Sequence, residues 1–124
     1  MNDNRRQAPR INLGPEHTVQ FTAGGHAFQG IRVSNLSEGG CFLTVPRASA
    51  GVFRNGTLLE QLRLEGPGLP PDSLTGVVAF AMAASPGLPV VGLGVRFVTL
   101  PESVEGELRR FVEAALARIR GEAP

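Results

Sequence analysis

Apolar residues recur along this chain at a spacing of two up to about residue 98 and at helical spacing after it. From His17 to Ala23, Val19 and Phe21 alternate with Thr18, Gln20 and Thr22, which predicts a half-buried strand. Gly24-Gly25 supplies two residues tolerant of positive φ, a hairpin signal. The return strand is predicted over His26–Ser34, with Phe28, Gly30 and Arg32 on one face. Ala27, Ile31 and Val33 break strict alternation there, which predicts a bulge near Gly30. Cys41–Val45 follows the Gly39-Gly40 turn and stops at Pro46. Two further strands fit Thr57–Glu65 and Leu74–Ala83, on either side of the Gly66-Pro67-Gly68-Leu69-Pro70-Pro71 loop. Within the second, Val77–Met82 has no period, and its valines and neighbours favour a buried strand over a helix. Val90–Val98 alternates most cleanly, with Val91, Leu93, Val95 and Phe97 against Gly92, Gly94 and Arg96. Sixteen Gly and ten Pro punctuate these runs. Six short strands at close spacing predict a small antiparallel barrel or sandwich.

The last segment reads differently. Val104, Leu108, Phe111, Val112, Ala115 and Ile119 fall on one helical stripe, predicting an amphipathic helix over about residues 100–120. Thr99 and Glu102 have the spacing of a capping box, and Pro101 suits a first turn. Glu102, Glu105 and Glu107 near the start and Arg118 and Arg120 near the end complement the helix dipole. Gly121 reads as the stop. Only Gly106 opposes the helix, at a cost of roughly 1 kcal/mol.

Composition narrows the function. A chain of 124 residues is one domain's worth, and its 42% hydrophobic and 19% charged residues are an ordinary globular balance. Twelve Arg and no Lys face eleven carboxylates, so the net charge of +1 argues against a generic binder of nucleic-acid polymers. A barrel reading single strands would also need an exposed aromatic platform. The chain has seven Phe and no Tyr or Trp, and several of those Phe fall at inward-alternating positions. No apolar run reaches the roughly 18 residues of a membrane helix, and MNDNRRQAPR has no apolar leader core. The expectation is a soluble, cytoplasmic protein with no membrane insertion.

Catalytic and metal chemistry find few residues to work with. His17, His26 and Cys41 are too few for a four-ligand zinc site and lack its spacing. Cys41 lies in the apolar run Cys41-Phe42-Leu43, where a buried inert thiol is the expected state. Gly92-Leu93-Gly94 lacks the third glycine of a dinucleotide loop and opens no helix. The expectation is a non-enzyme without a cofactor.

Two clusters remain. Arg5-Arg6-Gln7-Ala8-Pro9-Arg10 gathers three Arg with no carboxylate, and Asn35-Leu36-Ser37-Glu38-Gly39-Gly40 lies between two predicted strands. Taken singly, these read as a solvated tail and a tight turn. Taken together, Arg6-x-x-x-Arg10 followed by Asn35-x-Ser37-x-x-Gly40 resembles the paired signature of the PilZ domain family, RxxxR and (D/N)xSxxG. The closing strand Gly94-Val95-Arg96-Phe97 and the final helix extend the resemblance over almost the whole chain.

That resemblance implies a mainly β fold: a six-stranded antiparallel barrel with one C-terminal amphipathic helix. It implies a flexible Arg-rich arm over residues 1–12 and a barrel with its helix over 13–124. The implied function is a non-catalytic receptor or adaptor for the bacterial second messenger cyclic di-GMP (c-di-GMP), with Arg5, Arg6, Arg10, Asn35, Ser37, Gly39 and Gly40 at the site. By carry-over Asn35 would bond a guanine edge, Ser37 the ligand or the adjoining turn, and Gly40 would admit the ligand without a Cβ in the way. Asn in place of Asp keeps the family pattern but forgoes a charge-assisted bond to guanine.

The residue chemistry agrees. A guanidinium is a planar fork for phosphate or guanine O6 and N7, and a flat cation that stacks on bases. Pro9 disfavours helical geometry at Ala8, so Arg6 and Arg10 can stand up to roughly 13–14 Å apart. The expected mechanism is ordering of the arm over the Asn35–Gly40 surface, presenting a new face to an unidentified regulatory, motility or secretion protein. Motility and exopolysaccharide are the outputs the family implies. The alternative is a barrel of the same fold that acts through protein contacts alone.

Overall fold

Strands that alternate apolar and polar side chains can bury one face by curling around a shared interior, and this chain does so. The computed structural model describes residues 9–82 and 87–121. In it β1 (Ile11–Asn12), β2 (Thr18–Ala23), β3 (His26–Ser37), β4 (Gly40–Pro46), β5 (Leu58–Glu65), β6 (Leu74–Ala81) and β7 (Val90–Val98) precede α1 (Glu102–Ile119). A 3-10 helix, Arg47–Val52, follows β4. Six strands pair antiparallel in a ring, β3–β2–β5–β6–β7–β4, and β4 returns to β3 to close the barrel. The expected six-stranded antiparallel barrel with a C-terminal helix is therefore the observed fold.

Inward positions carry the core. Val19 and Phe21, Ile31 and Val33, Leu43 and Val45, Leu59 and Leu62, Val78, and Leu93 and Val95 are all buried. Two bulges keep alternation and curvature compatible. Between Val19↔Ile31 and Phe21↔Phe28, β3 carries one extra residue, with Gly30 at φ +65°. That is the bulge expected near Gly30, but it also reorients the face. Phe28 turns towards Phe21, their ring centroids 5.3 Å apart, while Arg32 points outward and its Nη2 donates to the Leu13 carbonyl at 3.2 Å. Phe28 and Arg32 do not share a face. In β5, Gln61 at φ +51° lets Leu59 and Leu62 both point inward.

Three boundaries differ from the sequence expectation. First, β3 runs to Ser37 rather than Ser34, because Asn35 and Leu36 have partners on both edges. Asn12 and Ile11 pair with them from one side, and Phe42 and Cys41 from the other. Second, Ile11 and Asn12, inside the stretch read as an arm, are strand β1, and the Ile11 side chain is buried. Third, the capping box does not form. Thr99 sits at φ +53°, Pro101 is the N-cap residue, and no side-chain cap bond is made.

Helix α1 lies against β1 and β3. It buries Val104, Leu108, Val112 and Ala115, whereas Ile119, placed on the same stripe by the sequence, is 71% exposed beyond the barrel. Truncating Leu108 should detach this face. Leu108→Ala is expected to lower the unfolding free energy by about 2–5 kcal/mol, and Ile119→Ala to leave it within about 0.5 kcal/mol, both read from urea unfolding midpoints.

Candidate ligand-binding site

The outer face of the barrel gathers the motif residues that fall within the described chain. Arg5 and Arg6 lie outside the described residues. Arg10 stands one residue before buried Ile11, so the strand pairing of β1 fixes where its side chain can reach. Its Nη1 donates to Asn35 Oδ1 at 2.9 Å. The two sequence motifs, 25 residues apart, are thus joined directly.

Beyond Asn35 the chain makes a tight hairpin with only Glu38 and Gly39 between β3 and β4. Ser37 is buried and organises that turn. The Gly39 N–H donates to Ser37 Oγ at 3.2 Å, and Ser37 Oγ lies 3.4 Å from the Gly40 carbonyl, to which it donates. A hydroxyl bonding backbone two and three residues on is the local chemistry expected of Ser at a turn. Gly40 is required by the barrel itself, since any Cβ there would run into the carbonyl oxygen of Val95 on β7. Its need for glycine is set by the β4–β7 approach, which is a different reason from ligand access. Gly39, by contrast, faces open space.

These residues line a groove of about 480 Å³, within the usual range for small-molecule sites of roughly 300–1,000 Å³. Arg10, Ser37, Glu38, Gly39 and Gly40 form one side, with Phe80, Arg96 and Glu105 among the others. Phe80, on β6, and Arg96, on β7, were not singled out from the sequence as site residues. The signal that marks them is Gly92-x-Gly94-x-Arg96, small residues at outward positions of a strand, over which something must lie. Glu38 and Glu105 put negative charge at the helix side of the groove, and Arg109 of α1 meets both. Arg109 Nε lies 2.7 Å from Glu38 Oε1, and its Nη2 lies 3.9 Å from Glu105 Oε2. The hydrogen bond to Glu38 and that carboxylate's charge raise the Arg109 pKa further above its ordinary value.

Cys41, the inward neighbour of Gly40, has no catalytic character. Burial pushes its thiol from 9.0 up to about 12, with the Arg10 charge pulling the other way. A thiol held protonated is neither nucleophile nor metal ligand. Among the described residues no three His, Cys, Asp or Glu side chains cluster as a metal site would require. No described helix is long and apolar enough to cross a membrane.

Three measurements test this account. Gly40→Ala is expected to cost about 1–3 kcal/mol of stability through forced strand separation, and Gly39→Ala to stay within about 0.5 kcal/mol, as read by urea unfolding. Cys41 should resist maleimide at pH 8 in the native protein and label fully once unfolded. The unfolded chain gives up the thiol proton near pH 9 while the folded chain holds it to about 12. Stability should therefore fall as pH rises through that window, a decline that Cys41→Ala removes.

Comparison with known proteins places the fold. The PilZ domain family model matches residues 4–114. The solved PilZ domain with c-di-GMP of YcgR from Escherichia coli superposes with a TM-score of 0.74 at 17% identity, covering 96% of this chain and 99% of that one. The K. pneumonia MrkH–c-di-GMP complex gives 0.76 at 16% identity, covering 94% of this chain and 54% of that one. Bacillus subtilis inhibitor of motility (MotI/DgrA) gives 0.70 at 17%, covering 92% and 52%. The chain thus spans about half the length of the last two. No curated protein sequence matches it. The family-model match takes in both motifs, the closed barrel and most of the final helix, and the chain belongs to the PilZ domain family.

Proposed function

We propose that this chain is a non-catalytic receptor for cyclic di-GMP that works as an adaptor, reporting the messenger to a partner protein. The observation that carries the reading is the hydrogen bond from Arg10, which lines the groove, to Asn35. It places a guanidinium and an amide side by side, the donor fork and the mixed donor–acceptor pair that a guanine edge and a phosphate require. The solved relatives described as complexes with c-di-GMP support the same ligand.

In this mechanism Arg5 and Arg6 of the first motif close over the messenger from the side opposite Asn35. Ser37 and Gly40 act indirectly by holding the turn, and Gly39 offers the open backbone. Each residue that binding newly fixes costs roughly 1–2 kcal/mol of backbone entropy. Charge-assisted contacts at about 1.5–3 kcal/mol each offset it, so several arginines are needed rather than one. Closure would make a new surface for a regulatory partner, and motility control fits the inhibitor of motility among the relatives.

The test is calorimetric titration of cyclic di-GMP into the wild type and Arg10→Ala. Saturable binding by the wild type is expected, with affinity lower by about 10- to 100-fold in the variant. Absence of heat and of chemical-shift change in the wild type would remove the receptor reading and leave a PilZ barrel acting by protein contacts alone.

A further inference from the structure

The loop between β5 and β6, Gly66-Pro67-Gly68-Leu69-Pro70-Pro71, faces α1 across a groove of about 770 Å³. The loop forms one wall, and Glu107, Arg110, Ala114 and Arg118 form the other, with half-buried Phe111 between them. Both walls are held in place by one histidine. His17, buried immediately before β2, donates from Nε2 to the Pro67 carbonyl at 3.3 Å. Its ring stands edge-on to Phe111, with centroids 5.7 Å apart and planes at 71°. Gly68, at φ +83°, lies so close to Phe111 that a Cβ there would come within 3.2 Å of the ring. The Leu69 N–H donates to the Gly66 carbonyl at 3.3 Å, which tightens the loop on itself. A groove fixed in this way is preformed, so little ordering of its walls is charged against binding.

No residue lines both this groove and the one that holds Arg10, Ser37 and Gly40. Arg109 meets Glu38 on one flank of α1, and the groove described here uses the other. Arg110 and Arg118 are exposed and make no hydrogen bond or ion pair among the described residues. Against them stands the single carboxylate of Glu107, so the lining is positive. Eight residues of helix separate the two guanidinium-bearing positions by about 12 Å along the axis. Ala114 lies midway, and with Phe111 it leaves an apolar step between the charges. In an extended chain, side chains at i, i+2 and i+4 share one face, and i and i+4 stand about 13 Å apart. We infer that this groove docks an extended acidic segment of a partner protein. Two carboxylates, four residues apart, pair with Arg110 and Arg118, and an apolar side chain between them rests on Phe111 and Ala114. Glu107, one turn before Arg110, repels a third carboxylate and so fixes the register. Pro67, Pro70 and Pro71 offer no N–H to a visiting strand, which leaves recognition to side chains. The inference rests on the adaptor half of the reading above and requires no messenger.

The probe is a fluorescein-labelled peptide, Gly-Glu-Ser-Leu-Ser-Glu-Gly, titrated by anisotropy without cyclic di-GMP. Saturable binding to the wild type is expected, weakened about tenfold by Arg110→Glu and again by Arg118→Glu. The same peptide with Lys in place of both Glu should bind the doubly reversed variant and not the wild type. Ala114→Trp, at an exposed position, fills the groove and should abolish binding at an unchanged urea midpoint. In amide spectra of the wild type, the peptide should shift residues 66–71 and 107–118 and leave 37–40 in place. A wild type that does not bind the peptide, or an affinity unaltered by both charge reversals, overturns the inference. Self-association that Ala114→Trp abolishes, with no peptide bound, overturns it in favour of an interface between copies of this chain. Because no messenger is present, these failures leave the receptor reading standing. A wild type that binds the peptide but not cyclic di-GMP supports this inference and overturns the receptor reading alone.

Discussion

An antiparallel sheet exposes unpaired N–H and C=O groups along both edges unless it closes, and a barrel of six short strands closes only if one strand can serve several neighbours. Here that strand is β3. Its first half pairs with β2, its second half pairs with β1 on the same edge, and its other edge carries β4. Twelve flat residues could not do this. The bulge at Gly30 and the register shift between Val33 and Asn35 bend the strand so that its two halves belong to different parts of the wall. The end of β3 carries the candidate site, and there the chain is gripped from both edges.

That placement lets the core be filled from one face of the strands while the other face carries the candidate site. Inward positions of β3, β4 and β7 hold Leu36, Cys41, Leu43, Leu93 and Val95, all buried. Outward positions hold Asn35, Phe42, Gly94 and Arg96, whose partners lie on the outer face. Alternation keeps the two sets independent, so an outward residue changes the surface without opening the core. Gly40 is the exception. It is an outward position whose missing side chain is demanded by the carbonyl of Val95, so this motif position needs glycine for a reason unrelated to ligand.

The strands of the barrel were legible because period-two alternation is a local signal, and it survives in Val91, Leu93, Val95 and Phe97 even where glycines intervene. What was not legible was set by partners distant in sequence. Ile11-Asn12 is two residues with a single apolar side chain, and it becomes a strand only because β3 offers an edge. Asn35 is a turn-forming residue by local chemistry, and the pairing of both edges of β3 overrides that preference, whereas Ser37 does hold the turn that follows. The capping box does not form because Thr99 takes left-handed geometry on leaving β7 and the helix starts two residues later, with Pro101 as its N-cap. At the site, the motif spacing identified Arg10 and Asn35, which do meet. Phe80 and Arg96 come from strands that reach the groove only through barrel closure, and no spacing rule connects them to either motif.

The position of Arg10 follows from the same logic at the level of a single side chain. Burying Ile11 stabilises the strand by roughly 1.5–3 kcal/mol, and that burial places the adjacent residue on the outer face at no further cost in backbone entropy. Arg10 is therefore held ready over Asn35 before any ligand arrives. The turn it faces is held from the other side by Arg109, whose 2.7 Å contact with Glu38 ties the motif hairpin to α1. Glu38 both lines the groove and holds the helix through Arg109. Arg10–Asn35 ties the start of β1 to the end of β3, and Glu38–Arg109 ties the adjoining hairpin to α1, so three elements meet around the motif hairpin.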